Sequence, residues 1–155
     1  MLSPAIIHFL QNQRFTIVST IDKNGMPHAS CKGIVNIDSE GRIYLLDLYK
    51  AKTYENLKQN PHISITAVDE HHFKGWCLKG KAKLIKRNRV QSHIKKAWED
   101  KITSRIRHRI IRNIRGEKGH PRHPEVLLPN PEYMIAVDVK EIVNLAPTLY
   151  KKQAF

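Results

Sequence analysis

The stretch "YLLDLYKAKTYENLKQNP", residues 44–61, passes from an apolar strand pattern through two lysines into a short helix that ends at its final proline. Lys52 and Thr53 stand where this helix starts, and Tyr54 and Leu57, three residues apart, give it one apolar side. The first turn of a helix has backbone N–H groups without partners and the positive end of the helix dipole, so an anion can bind there. On this stretch alone a second interpretation stays open, in which Thr53 caps the helix and the lysines face water.

The segments on both sides of this stretch have the pattern of antiparallel strands joined by tight turns. Upstream, the β-branched segment 14–21 is followed by "DKNGMP", whose Asn-Gly pair indicates a hairpin, and by a returning strand at 28–37 and a third at 42–48. Further strand patterns cover 62–69, 76–86 and 133–145. Six mainly antiparallel strands with few helices favour a small closed barrel over an α/β fold.

Two further helices are predicted outside the strands. The N-terminal "SPAIIHFLQNQ" begins with a serine cap and a proline at the first helical position. Apolar residues recur at helical spacing over 88–115, with Asp100 or Thr103 as a possible break into two helices. We therefore expect one domain over 1–155, with a helical insert at about 87–123 before the last strand.

Length and composition are those of a single globular domain. The chain has 155 residues, of which 41% are hydrophobic and 26% charged. No stretch is long and apolar enough to cross a bilayer, and the N-terminus lacks the basic region and cleavage site of a signal peptide. Two cysteines in strand patterns indicate reduced core residues, so a cytoplasmic location without membrane association is expected.

Positive charge is concentrated in one part of the chain. The segment 87–123 has twelve Lys or Arg against three acids, a surplus of nine within a net charge of +13. Such a block indicates an anionic partner. Nucleic acid is not favoured, because aromatic residues are not interleaved with the basic ones. A solvated face, or a rim that attracts an anionic small-molecule substrate, agrees better with the pattern.

The histidines give no metal-site pattern. His71 and His72 form one pair and His120 and His123 another, and neither pair has a cysteine or carboxylate at ligand spacing. They are interpreted as loop residues, and no metal is expected.

Taken together, the motifs resemble those of the flavin-binding split-barrel family related to pyridoxamine 5′-phosphate oxidase, and in size and motif order the small FMN-binding proteins. That family has a strand, a basic loop with a nearby Ser or Thr, and a helix of the form K-x-x-N-L-x-x-N-P, which Lys52 or Thr53 through Pro61 matches. Its L-x-G-x-A strand is matched by Leu78, Gly80 and Ala82. The resemblance covers roughly residues 5–86 and, loosely, the final strand. It implies a mainly β (α+β) fold, a six-stranded antiparallel split β-barrel with flanking helices and a basic helical insert.

The resemblance also implies a cofactor, an assembly and a set of contacts. The expected protein is an FMN-dependent oxidoreductase that forms a homodimer with FMN at the subunit interface. Lys52 and Thr53 would meet the phosphate, and the other subunit would contribute from around Trp76. The residues implied along the isoalloxazine ring are Ser30, Cys31, Lys32, Leu45, Leu46 and Asp47. No catalytic residue is identified, because in flavin enzymes the cofactor carries the redox chemistry.

The resemblance to full pyridoxamine phosphate oxidases has two gaps. The second strand has Ser30, Cys31 and Lys32 and lacks the arginine that those enzymes use on the FMN phosphate, and their C-terminal tryptophan and arginine, which hold the pyridoxal substrate, are not matched. The open alternatives are a non-catalytic flavin or haem module, a basic nucleic-acid-associated barrel, and a reductase that uses the deazaflavin F420.

Overall fold

In the computed structural model, which describes residues 2–117, 119–120 and 131–147, six strands form one closed antiparallel barrel. The strands are β1 (Thr16–Ile21), β2 (Pro27–Ile37), β3 (Ile43–Asp47), β4 (His62–Asp69), β5 (Lys74–Lys86) and β6 (Tyr133–Asn144). Their order around the barrel is β1–β2–β3–β6–β5–β4, and β4 pairs again with β1. The predicted fold class is confirmed.

The first hairpin forms as its sequence predicts. Asp22 Oδ1 accepts hydrogen bonds from the backbone N–H groups of Asn24, at 2.8 Å, and Met26, at 3.0 Å. Gly25 has a φ of +80°, a conformation that favours glycine. Residues 14 and 15, predicted as the start of β1, precede the strand.

Alternate residues of each strand fill the barrel with aliphatic side chains. Fully buried examples are Val18, Ile43, Leu45, Ile65, Leu78, Ile135 and Val137. Burying one such side chain stabilises the fold by about 1.5–3 kcal/mol. β6 pairs with β3 on one side and β5 on the other, so it is the strand that closes the barrel. The β5–β6 pairing shifts register at Lys79/Gly80, and a Cβ on Gly80 would lie 2.2 Å from the carbonyl oxygen of Asp138.

Two short helices pack against the barrel. In α1 (Pro4–Gln11), the Ser3 side chain accepts a hydrogen bond from the Ile6 N–H, and Ile6 and Leu10 are buried. In α2 (Lys52–Gln59), Asn56 is buried and its amide donates to Thr20 Oγ1 at 3.0 Å. We call the end of the barrel against which α2 packs the barrel mouth.

The third helix, α3 (Ser92–Ile114), follows a 3₁₀ turn at Arg87–Arg89 and lies on the outside of the barrel. Ile94 packs with Tyr44 and Met134, which point outward from β3 and β6. The helix continues through Asp100 and Thr103, so the possible break into two helices does not occur. Trp98 precedes both candidate breakpoints, and Ile102 lies between them. Both side chains are buried, so this face of the helix stays in contact with the rest of the protein across the expected break.

Two other sequence expectations concern membrane-spanning helices and the end of the insert. Within the described residues, no helix is long and apolar enough to cross a membrane. His123 and the end of the predicted insert lie outside the described residues.

Candidate cofactor site at the barrel mouth

The N-terminus of α2 lies at the barrel mouth and has no side-chain cap. Ala51 occupies the cap position in an extended conformation and has no side chain that could bond the N–H groups of the first turn. Thr53 is the second helical residue, so it does not cap the helix, and its hydroxyl lies 3.1 Å from Ser30 Oγ on β2. Free N–H groups, the helix dipole and the Lys52 amine therefore combine at one place.

Asp22, at the end of β1, faces this helix terminus. Its Oδ2 lies 4.0 Å from Lys52 Nζ, and half of the Lys52 side chain is exposed. Hydrogen bonds from the backbone of Met26 and Asn24 lower the pKa of Asp22, so it remains a carboxylate. A bound anion would compete with Asp22 for Lys52.

A buried ion pair lies next to this helix, inside the barrel mouth. Lys32 Nζ and Asp47 Oδ2 are 2.7 Å apart, and the two residues are only 8% and 9% exposed. The Tyr133 hydroxyl donates to Asp47 Oδ2 at 2.5 Å. Burial, and then the hydrogen bond to Asp47, raise the pKa of Tyr133 far above its ordinary value, so the hydroxyl keeps its proton. Lys32 is thus a positive charge held in a fixed position.

The residues expected at the flavin divide between the two faces of β2 and β3. Ser30 and Lys32 point into the barrel mouth, where they meet Thr53 and Asp47 respectively. Cys31 is exposed on the outer face of β2. The two leucines expected at the ring lie on β3. The Leu45 side chain is fully buried in the core, and Leu46 lies opposite Gly33 on the outer side.

Trp76 lies on β5, three strands around the barrel from Lys32 on β2. It pairs in register with Ala67 and Asn144 and packs against the core, near the start of β5. Lys86, at the other end of β5, is in register with Tyr133. Trp76 is therefore remote from Tyr133 along β5. It is closer to Lys32, because its partner Ala67 follows Thr66, which pairs with Ile17, and the neighbouring Thr16 pairs with Lys32. A contact of Trp76 with the FMN of the other subunit remains a prediction.

Two residues of this site, Asp22 and Tyr133, were not predicted. The "DKNG" turn indicates how Asp22 uses one carboxylate oxygen, but it says nothing about the second oxygen and Lys52. Tyr133 is separated from Asp47 by 86 positions, and only the β3–β6 register brings them together. No local pattern contains that register.

No cluster of three or more His, Cys, Asp or Glu side chains that could hold a metal ion occurs in the described part of the chain. His72 instead bonds to Asp69 in the exposed β4–β5 loop, with Nδ1 and Oδ2 2.8 Å apart.

Comparison with solved structures supports the fold. HupZ of Group A Streptococcus superposes with a TM-score of 0.63 at 19% identity, covering 94% of each chain. The conserved hypothetical protein Rv2991 of Mycobacterium tuberculosis gives 0.61 at 17% identity, covering 94% of this chain and 86% of its own. An F420 reductase gives 0.53 at 14% identity, covering 88% of this chain and 94% of its own. At these identities the likeness concerns the fold alone.

Comparison of sequences decides the family. No curated protein matches the chain. The family model described as pyridoxamine 5′-phosphate oxidase matches residues 2–128, which include strands β1–β5, α2 and the basic helix α3. The match covers well over half of the chain, and the split-barrel expectation agrees with it. The chain therefore belongs to the pyridoxamine 5′-phosphate oxidase family.

Proposed function

We propose that this protein is an FMN-binding flavoprotein and FMN-dependent oxidoreductase that works as a homodimer, with the flavin at the subunit interface. The observation that carries the proposal is the uncapped N-terminus of α2 at the barrel mouth, with Lys52 half-exposed and the Thr53 hydroxyl buried beside it. Family membership supports the same assignment.

The groups at this helix terminus fit a phosphate. The first-turn N–H groups donate without competition from a cap, Lys52 supplies a positive charge, and Thr53 supplies a hydroxyl whose direction Ser30 helps to set. Asp22 opposes an anion, but its competing contact with Lys52 is long, at 4.0 Å. The phosphate of FMN would displace that contact.

The strands next to this terminus would hold the ring. Ser30 and Lys32 would contact it from inside the mouth, and Cys31 and Leu46 lie on the outer side of the same strands, where a partner subunit would cover them. Bound FMN supplies hydride or electron transfer. The chain supplies a fixed positive charge at Lys32, which Asp47 holds in place. An anionic small molecule is the substrate class that the basic surface favours.

The outer face of the barrel supports the proposed dimer. Ile17 and Ile21 on β1 and Val68 on β4 are 43%, 38% and 59% exposed, although each belongs to a strand of the sheet. Cys31 is in register with Ile17 on this face. A second copy of the chain would remove these apolar side chains from water and bring its Trp76 toward the flavin of the first copy.

F420 is the second candidate cofactor. An F420 reductase shares the fold, and F420 also carries a phosphate group that could meet the start of α2. The absorption spectrum and the mass of the small molecule released on denaturation distinguish FMN, F420 and haem.

The decisive experiment titrates FMN and riboflavin into apo-protein and follows flavin fluorescence. A charge-assisted hydrogen bond contributes about 1.5–3 kcal/mol, so Lys52→Ala should weaken FMN binding about 10- to 150-fold, toward the lower end because Lys52 is half-exposed. Thr53→Ala should cost on the order of 1 kcal/mol. Riboflavin lacks the phosphate, so its affinity should change little in Lys52→Ala.

Lys58→Ala is the matched control, because Lys58 is an equally exposed lysine at the other end of α2. It should leave both affinities nearly unchanged. Equal weakening of FMN and riboflavin by Lys52→Ala, or no weakening of either, would contradict the phosphate assignment. Sedimentation of the same samples should give a dimer of two 18.0 kDa chains.

A further inference from the structure

A groove of about 600 Å³ opens on the other flank of α2 from Ser30. Its walls come from the start of α2, the end of β5, the 3₁₀ turn, the first turn of α3 and the start of β6. We name it the α2–α3 groove. Its volume lies within the range of small-molecule sites in proteins, about 300–1,000 Å³.

The α2–α3 groove is strongly positive. Lys50, Lys86, Arg87 and Lys95 line it, and Glu132 is its one acidic lining residue among the residues described. Glu132 is already paired with Lys50, at 3.1 Å. In the described part of the chain, Lys86, Arg87 and Lys95 form no side-chain hydrogen bond or ion pair. Three positive charges therefore converge on one concavity, and the one acidic lining residue among those described, Glu132, is paired with a fourth cation, Lys50.

Neighbouring lysines do not share this arrangement. Lys79 on the same strand β5 pairs with Glu141 at 3.0 Å, and Lys83 and Lys96 are exposed outside the groove. The cations of the groove come from separate elements that the fold brings together, and like charges in a cleft concentrate the positive potential. Tyr54 and Leu84 add apolar wall beside them.

We infer that the α2–α3 groove is a second anion site, which binds a ligand carrying a diphosphate, such as a nucleoside diphosphate. A diphosphate carries about three negative charges at neutral pH, which matches the three cations that have no side-chain partner among the residues described. The Tyr54 ring and Leu84 provide apolar wall for the remainder of such a ligand.

This site differs from the one proposed for the FMN phosphate. Thr53 is directed toward β2, where it meets Ser30, whereas Tyr54 is directed toward β6, where its ring centroid lies 4.8 Å from that of Tyr133. The two sites thus flank the first turn of α2 and use different cationic side chains, and Tyr133 borders both. Binding in the groove does not depend on the cofactor assignment.

The test is calorimetric titration of pyrophosphate, at low ionic strength, into the protein as purified and again with saturating FMN. Lys86→Ala, Arg87→Ala and Lys95→Ala should each weaken pyrophosphate binding about tenfold. Lys83→Ala and Lys96→Ala remove the same charge from β5 and α3 outside the groove, and they should change the affinity less than about twofold.

Two further variants make the result decisive. Glu132→Gln removes the competing carboxylate and frees Lys50, so it should tighten pyrophosphate binding several-fold, a gain that damage to the fold cannot produce. With saturating FMN, which the proposed function places at the start of α2, Lys52→Ala should leave pyrophosphate binding unchanged. Three results would overturn the proposal. These are no binding of pyrophosphate at all, an equal fall in its affinity in Lys95→Ala and Lys96→Ala, and a loss of its binding only in Lys52→Ala. In the last case the anion would be bound at the start of α2 instead.

Discussion

Lys32 at the barrel mouth and Lys101 on α3 are both withdrawn from water, but their surroundings differ. Lys32 lies 2.7 Å from Asp47, so its charge is balanced where it is buried. Lys101 donates to the carbonyl oxygen of Ile34, and its charged neighbour is Arg105. A buried charge that is paired with a carboxylate is held in place as part of the folded structure. A buried charge without such a partner lowers the stability of the fold, and deprotonation at higher pH removes that loss. The barrel mouth is therefore expected to be rigid and the α3 flank adjustable.

The largest expected effect is at Asp47. Asp47→Ala leaves Lys32 buried without its partner and the Tyr133 hydroxyl without its acceptor, so it should lower the free energy of unfolding by about 3–5 kcal/mol. Urea denaturation measures the change. The double variant Lys32→Met/Asp47→Leu removes both charges and should recover most of the loss. A loss below about 1 kcal/mol in Asp47→Ala would mean that the barrel mouth relaxes and admits water, and the comparison would fail.

A pair of glycines gives an intermediate effect and sharpens the contrast. A Cβ on Gly80 would meet the backbone of Asp138 at 2.2 Å, whereas a Cβ on Gly33 would meet the end of the Arg105 side chain at 2.9 Å. The β6 backbone cannot move aside without disturbing the barrel, so Gly80→Ala should cost at least about 1–3 kcal/mol.

Gly33→Ala is the variant with which Gly80→Ala is compared. The guanidinium of Arg105 can shift, so this substitution should change the free energy of unfolding by less than about 0.5 kcal/mol. Equal costs for the two alanine variants in urea denaturation would show that the α3 flank is as rigid as the strands.

An effect smaller than that of Gly80→Ala concerns how the stability of the protein depends on pH through Lys101. Burial, and then the charge of Arg105, lower the pKa of Lys101 to about 8. Between pH 8 and the ordinary lysine value of about 10.4, the unfolded chain binds more protons than the folded one, so stability should rise with pH. Because the amine is only partly buried, the rise should be about 1 kcal/mol.

The measurement is the difference in unfolding free energy between the wild type and Lys101→Met across this pH range. It should grow in favour of the wild type as pH rises. Lys96→Met, an exposed position on the same helix, should show no such trend. A pH-independent difference for Lys101→Met would mean that the amine is solvated in the folded protein.

The elements that the sequence predicted well are those with local signals. The Asn-Gly turn, the alternating strands and the short helix after "YKAK" each depend on residues within a few positions of one another. Lys52 and Thr53 were placed at the start of α2 for the same reason, and the structure has them there.

The features that could not be predicted from the sequence are contacts between residues that lie far apart along the chain. The Lys32–Asp47–Tyr133 contacts require the β2–β3 and β3–β6 registers, which no short pattern specifies. The continuity of α3 was open for a related reason, since Asp100 and Thr103 favour helix ends by propensity, whereas packing of Trp98 and Ile102 overrides that preference. The α2–α3 groove likewise draws its cations from separate elements.

The place of β6 in the barrel has a consequence for the chain while it is being made. Every strand but β6 precedes α3, so β3 and β5 present unpaired backbone N–H and C=O groups until residues 133–144 have left the ribosome. At about 5–20 residues per second, synthesis of the residues between Lys86 and Tyr133 takes on the order of 2 to 9 s. During that interval the nascent protein is an open sheet with two free edges, and strand exchange with a neighbouring chain competes with its own closure.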